Sequence, residues 1–535
     1  MWTESDLRGA IPIYLLEILW AGRTYRFSTF PVHLTTEGGD SIPFLGELED
    51  VDYSDSANRS GVSDSGPSIS LDVVFPVDVA KEYADQHPLD EATGELSLVF
   101  VQPDGTINQT YENRFILSSG YVEMPGYAFP GADPGLASFT LEQPASDDGA
   151  RIIPEAAVIT KTTFPNAADT LGAVYPFVFG SPGTFVNSAG TANTKPATPA
   201  YLVSTDVLLI AGHEVVGAAA VTIFDADGNT TTATPTPARD GLARLVSTVD
   251  ISGAGSPFDK TSSKFYVAWP SNSGGMIDPL IGGLLTRLGD LCVWALTQST
   301  IGADIGKWRA AAPLLNGIKL AGFIDDPDLT PWSWLIDTVL RLIPLEVRQG
   351  PGGVFPLPRF LDRRISDVVA FVDAGADFTP AGQVQTISER IDLVNEVSLR
   401  WALDLAENTY RRRLTAQARV DSADPDTFSS PHAIFSQSRY GLRQKTITSS
   451  IVYDSGSAGA IIQQALRAGC YSTRTRTYLA APRWGWLDIG HAIALTEADL
   501  SLTDRIVEII GRQWTGNAWL FTVVFDEDPF REEAG

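Results

Sequence analysis

NEVSLRWALDLAENTYRRRLTAQA, residues 395–418, decides how this chain is read. It is followed by SRYGLRQKTITSSIVYD (438–454), AGAIIQQALRAG (458–469) and GWLDIGHAIALTEADLSLTDRIVEIIGRQWTGNAWLFTVVF (485–525). Polar and apolar residues alternate in the first, second and last of these, which marks strands, and the Ala-rich run marks one short helix between them. No catalytic cluster lies in the stretch. A segment of this kind builds a barrel-like wall whose borders must pair with neighbouring copies. That points to an assembly component rather than an enzyme.

The first part of the chain carries the same β signature. IPIYLLEILWAGRTYRFSTF (11–30) reads as a hairpin turning at Ala21-Gly22, and further strands are expected at 68–75, 95–102, 110–123 and 137–143. The run PVDVAKEYADQ (76–86) is helix-like. Residues 1–150 therefore read as a β-barrel-like domain, 151–195 as a connector and 196–272 as a second β-rich unit with an Asp227-Gly228 turn. The character changes after Gly274. Leu280, Leu284, Leu288, Leu291 and Ala295 share helical spacing over 278–299, with Asp278 as the cap and Pro279 in the first turn. A second helix is expected at about 331–343, capped by Thr330 and stopped by Pro344, and a Gly-Pro-Gly-Gly hairpin follows. Residues 273–390 thus read as an α/β domain and 391–535 as a second barrel-like domain with a short helix. The expected fold class is multi-domain, mainly β with an α+β middle portion.

Length and composition agree with this. A chain of 535 residues exceeds one core and implies three to four domains. With 44% hydrophobic and 10% aromatic residues it has enough apolar material to fold. MWTESDLRGAIPIY lacks a basic region before an apolar core, so no cleavable signal peptide is expected. Apolar runs stop short of the roughly 20 residues that span a bilayer, and LLIAGHEVVGAAAVTIF is broken by His213 and Glu214, so a soluble chain is expected. Cys292 and Cys470 read as two buried thiols in a chain that folds in the cytosol.

The net charge of -27, with only 8 Lys among 38 basic residues, argues against phosphate-gathering nucleic-acid binding. Two readings stay open: an acidic, Lys-poor source proteome, or an acidic lumen through which DNA slides without sticking. Charge reverses locally, because residues 401–483 hold eleven Arg and Lys against six acids. The run is either a solvated arginine face or an electrostatic seam. In the second case its partner would be the acidic 37–55 stretch of a neighbouring copy, with Glu37, Asp40, Glu47, Glu49, Asp50, Asp52 and Asp55. The residues placed at that interface are Arg411, Arg412, Arg413, Arg439 and Arg443.

Chemistry finds little support. His33, His87, His213, His432 and His491 share no metal-ligand spacing, and Cys usage offers no thiolate site. DADGNTTTATPT (225–236) opens like a calcium loop but has Thr230 and Thr236 where glycine and glutamate belong, so a hairpin turn is expected. Nucleophile-elbow, P-loop and dinucleotide patterns are missing. Asp325-Asp326 is cheap evidence for glycosidase chemistry in a chain with 65 acids. The sequons at Asn58, Asn108 and Asn229 occur at chance frequency, and the Trp residues read mostly as core. No catalytic residue, metal or cofactor is expected.

Taken in order, a β barrel, an embedded β unit and a Trp-rich helix with a Gly-Gly hairpin precede Asn395–Trp401, Ser436–Arg443, Ala458–Ala468 and Leu487–Leu495. This order resembles the baseplate or tail-tip hub proteins of tailed bacteriophages and gene transfer agents, with weaker likeness at Tyr175–Gly180 and Trp332–Pro358. About half the chain is covered. Gly490-His491 departs from the Gly-Asp common in that family. The resemblance implies a homotrimer in which two barrel-like domains per copy alternate around a pseudo-hexameric ring. That ring would mate with a hexameric tail tube or distal tail ring, contact a tail fibre or central tip protein, and let DNA pass only in transit. The middle domains would narrow or close the channel and move aside for ejection. The implied location is the virion tail tip, after synthesis in the host cytoplasm, with no specific small-molecule ligand. Two rivals remain. One is a β-rich carbohydrate-active enzyme or glycan-binding protein; the other is a neighbouring tail component such as a distal tail protein or fibre base.

Overall fold

Ile11–Trp20 and Arg23–Ser28 pair as the expected hairpin. Ala21 and Gly22 both take positive φ (50° and 76°), the backbone a two-residue turn needs to match strand twist. The first strand is apolar on both faces, and over 13–16 both are covered. Tyr14, Leu16, Ile18 and Trp20 enter the main core on one side, while Ile13 and Leu15 meet Val32, Leu34, Phe44 and Val99 on the other. The computed structural model describes residues 10–56, 68–75, 92–107, 109–128, 135–142, 148–186, 190–217, 219–271, 275–276, 282–350, 352–358, 367–386, 393–420 and 422–526. The helix expected at 76–86, His87, Asn58, Asn108, Asp278 and Pro279 lie outside the described residues.

From the hairpin one 14-stranded sheet continues through Thr93–Val101, Phe115–Ala128, Gly135–Glu142, Ser68–Phe75 and Leu48–Ser56. It then crosses directly to the end of the chain: Leu48–Ser56 pairs with Leu502–Trp514, which leads to Trp519–Asp526, Thr473–Ala480 and Phe378–Pro380. Ala492–Glu497 also pairs with Leu502–Trp514, and Val368–Asp373 adds in parallel outside it. The two ends of the sequence thus share one sheet and one core, in which Tyr14 packs against Trp514 and Trp519 at 5.4 and 6.4 Å between ring centroids.

The chain leaves this sheet twice, through 148–358 and again through 393–470, and both excursions meet in a second core. The stretch read as one barrel-like domain, 391–535, is divided between the two. Its four-stranded sheet, ordered Thr427–Ser429, Thr409–Gln417, Glu396–Asp404 and Gln444–Thr448, buries Val397, Leu399 and Trp401 with the middle helices. Its later strands return to the large sheet. Likewise 368–386, expected within the α/β unit, pairs with strands beyond 473.

Strands between Thr198 and Ala268 form a seven-stranded sheet with a cluster around Val221, Ile223, Val267 and Trp269, while Val203, Leu209 and Val246 join the second core. Residues 331–342 are helical as expected, capped by Thr330 in a reciprocal box with Ser333, though 335–339 widen to π geometry. The first middle helix is shorter than its periodicity implied, Leu288–Gln298. The backbone of 286–288 instead pairs with 318–320: Leu288 N donates to Ile318 O at 2.9 Å and Leu320 N to Thr286 O at 2.7 Å. Those groups are spent before a helical turn can use them. Two helices that periodicity did not reveal are Ile305–Leu315 and Pro431–Tyr440.

Candidate assembly surfaces and the charged junction

Three of the four patterns singled out in the sequence occupy neighbouring places, while Leu487–Leu495 lies in the large sheet, and Asn395 explains two of the three. Its side chain is fully buried, donating to Gly441 O at 2.8 Å and Ser436 Oγ at 3.2 Å and accepting from Arg443 N at 2.8 Å. Gln437 Nε2 donates to Asn395 O at 3.0 Å. The Asn395–Trp401 and Ser436–Arg443 patterns are therefore one knot, tying the C-terminal end of the Pro431–Tyr440 helix to the Glu396–Asp404 strand. Gly441 (φ 74°) supplies the left-handed residue that ends the helix. The Ala458–Ala468 run lies in the Ser455–Gly469 helix, which packs over the same sheet with Ala458, Ile461, Ile462 and Leu466 inward.

The arginines divide. Arg411 donates to Asp404 Oδ2 from Nε (2.9 Å) and Nη2 (2.7 Å) and pairs with Glu407. Arg412 holds Asp426 at 2.9 Å and sits 5.6 Å from the Trp401 ring centroid. These two brace their own hairpin. Arg413 is exposed and donates to Thr415 Oγ1 at 3.2 Å; Arg439 is exposed over the Tyr440 ring. Arg443 Nε is buried with no hydrogen-bond partner. Of the acidic 37–55 stretch, Asp55 faces inward, as the next feature makes plain.

Where Leu48–Ser56 meets Leu502–Trp514, Arg512 lies directly opposite Asp55. Arg512 is only 6% exposed; Nη2 donates to Tyr53 Oη at 2.5 Å and stands 3.2 Å from Asp488 Oδ1. Asp55 in turn pairs with Arg348 of the Leu345–Gly350 strand, whose Nε is 3.9 Å from Glu346. Burial pushes the Tyr53 phenol far up, so it stays protonated. Burial also works against the Asp488 carboxylate, but Arg512, His491 and Lys307 more than offset it and hold Asp488 below the usual carboxylate range. One charged cluster thus joins the beginning of the chain, its end and the Gly-Gly hairpin. Gly490 adds to this contact: at φ 84° its Cα lies so close to Leu357 that a Cβ would collide with that side chain.

The large sheet ends on Arg23–Ser28 at one side. Val368–Asp373 pairs only with Ala492–Glu497 among the described residues, and it exposes Val369 (43%) and Phe371 (53%). Apolar edges of this kind invite pairing with another chain.

The residues weighed for chemistry serve the fold. Asp225 accepts from the backbone of Asp227, Asn229 and Asp259 and from Asn229 Nδ2 at 2.8–3.0 Å, saturating its carboxylate in a hairpin turn. His213 Nε2 accepts from Val178 N at 3.0 Å while Nδ1 faces Glu214 O at 2.9 Å, and burial lowers the ring to about 4. Cys292 and Cys470 are buried and form no disulfide. Among the described residues no three His, Cys, Asp or Glu side chains cluster as metal ligands, and no helix is long and apolar enough to cross a membrane.

No protein-family model matches the chain, and no curated protein does. Solved structures similar to it include the following. A tail protein from Neisseria meningitidis MC58 is 10% identical over 97% of this chain and 98% of that one, at a TM-score of 0.38. The 43 kDa tail protein of prophage MuSo2 from Shewanella oneidensis is 9% identical over 96% and 98%, at 0.35. A chain of the native gene transfer agent virion is 13% identical over 73% and 92%, at 0.37.

Proposed function

We propose that the chain is a structural component of a phage-like tail: the hub at the tail tip, assembled as a ring of three copies and without catalysis. The observation that carries this reading is the shared sheet. The described strands of 11–142 and of 473–526 lie side by side in it, and the border strand Val368–Asp373 leaves Val369 and Phe371 uncovered. Two halves per copy, repeated three times, give six similar units around a ring, the number that mates with a hexameric tail tube or distal tail ring. A head-to-tail contact that closes on itself covers every open edge, whereas one that stays open risks a filament. In this arrangement the ring takes most of the 1–150 portion, the 473–526 strands of the 391–535 portion and the 368–386 strands that pair with them. The 151–195 connector, the 196–272 unit and the rest of the 273–390 portion, with the 395–470 sheet, lie below it and narrow the channel; a tail fibre or central tip protein docks there. Their displacement lets DNA leave. Arg413, Arg439 and Arg443 face the acidic 37–52 stretch of the next copy, while Arg411 and Arg412 hold the hairpin in shape.

Mass measurement of the purified chain, with negative-stain imaging, tests this. Three copies in a ring with a central bore are expected; a monomer at micromolar concentration without a bore overturns it. Charge reversal at Arg413 and Arg439 together is expected to lower ring yield and remove its salt dependence. An unchanged salt profile refutes the seam.

A further inference from the structure

The 196–272 unit contains a cavity that the ring does not use. The Thr198–Ser204 strand changes partners along its length: residues 198–200 pair with Phe265–Ala268, and 201–204 with Val207–Ala211. Where the partners part, the 261–265 loop swings away and a cleft of about 630 Å³ opens. Its third wall is the loop 166–170.

All three walls are fixed by their own hydrogen bonds. Thr170 Oγ1 donates to Leu202 O at 2.7 Å, and Lys161 Nζ reaches the carbonyls of Pro165 (3.3 Å) and Ala167. Ser262 Oγ accepts from Ala226 N at 2.9 Å and donates to Lys264 O at 3.0 Å. The lining side chains are by contrast uncommitted. Asn166, Asp169, Tyr201, Ser204, Lys264 and Tyr266 border the cavity, and among the described residues their side chains make no hydrogen bond or ion pair. Preformed walls with unspent donors and acceptors describe a binding site rather than a packing fault.

We infer that this cleft binds a short, neutral oligosaccharide. The lining holds one carboxylate and one ammonium, so it offers no net attraction to a phosphate or to a cation. Its lining is about evenly polar and apolar, which suits a ligand of mixed character, and the size is that of a ligand-sized pocket. Two tyrosines provide apolar ring faces with a polar tip, which suits the C–H face of a pyranose ring. The amide, carboxylate, hydroxyl and ammonium supply the mixed donors and acceptors that sugar hydroxyls need. Burial, with Asp325 nearby, pushes the Tyr201 phenol up to about 12, so its hydroxyl remains a neutral donor across the physiological range.

The test is an array of immobilised neutral and anionic oligosaccharides probed with the full chain, alongside Tyr201→Ala, Asp169→Asn and Lys264→Met. Retention on at least one neutral oligosaccharide is expected, falling at least tenfold in Tyr201→Ala and Asp169→Asn. Asp169 lies in a loop and its amide variant keeps its shape, so loss of folding does not confound that arm; thermal melting confirms it. Retention on no spot, on anionic spots alone, or equally by wild type and variants overturns the inference. The mass of each variant is read in parallel. An intact ring without sugar retention counts against this site alone, and a monomer that retains sugar counts against the hub alone.

Discussion

Replacing Phe371 by threonine tests the open border most directly. Threonine, like phenylalanine, favours an extended strand and removes the exposed ring, so the isolated copy should lose little; surface changes of this kind fall within about 0.5 kcal/mol. In a ring the loss is larger. Burying a phenylalanine fully is worth roughly 1.5–3 kcal/mol, and Phe371 is already about half covered within its own copy. Each ring contact therefore forfeits roughly 1–1.5 kcal/mol, and three contacts per ring forfeit roughly 3–4.5 kcal/mol. The trimer formation constant then falls by about 10² to 10³. The half-assembly concentration varies as the inverse square root of that constant, so it rises by roughly 10- to 30-fold. Mass photometry or sedimentation velocity over a dilution series reads this shift. A shift below about threefold, with wild type assembling normally, means that the Val368–Asp373 border is not where copies meet.

Three other perturbations address the single copy. Arg512→Met leaves the buried Tyr53 hydroxyl without its partner, a loss of roughly 1–3 kcal/mol, while Asp488, with 40% of its side chain exposed, stays hydrated; an unfolding free energy from urea titration within about 0.5 kcal/mol of wild type would mean that Arg512 braces nothing there. Asn395→Ala deletes three buried hydrogen bonds at about 1 kcal/mol each, and should speed hydrogen exchange in 431–448 while leaving 11–101 protected. His213 is held neutral in the folded state, to about 4 against an ordinary 6.5. The unfolded chain thus binds the extra proton between those values, and stability falls as pH drops through that window. The loss is at most about 3 kcal/mol, and less because the ring is partly exposed. His213→Asn should flatten this slope in urea titrations at pH 7 and pH 4.5, and an undiminished slope assigns the acid sensitivity to other groups.

Local features were legible wherever the backbone itself dictates them. The Ala21-Gly22 turn, the Gly-Pro-Gly-Gly hairpin, the Asp227-Gly228 turn and the Thr330 cap all stand where turn and capping chemistry puts them. The partition of the last third was hidden. Val397, Leu399 and Trp401 alternate just as Val507 and Ile509 do, and alternation records that one face is buried, not which core buries it. The Pro431–Tyr440 helix carries a weak apolar face, with only Ala433 and Ser436 buried, so periodicity missed it; Ser430-Pro431 before it and Gly441 after it were the available signals. The cavity beside Tyr201 escaped for another reason. Its residues come from three separated loops and strands, and only the change of partner along Thr198–Ser204 brings them together.

The crossing between the first and last parts of the chain rests on three register pairs, Gly511 with Ser56, Arg512 with Asp55 and Gln513 with Ser54. So short a ladder tolerates a slip of register, and a slip by one residue would turn every side chain of the strand to the opposite face. The side chains remove that freedom. Asp55 meets Arg348 from a third element only when it stands opposite Arg512, and Arg512 reaches Tyr53 and Asp488 only in that same register. A hydrophobic cluster there would bind as strongly but accept neighbouring registers, because apolar contact has no direction. Buried charges cost more to misalign than to omit. The cluster therefore fixes how the first and last parts of the large sheet are set against each other.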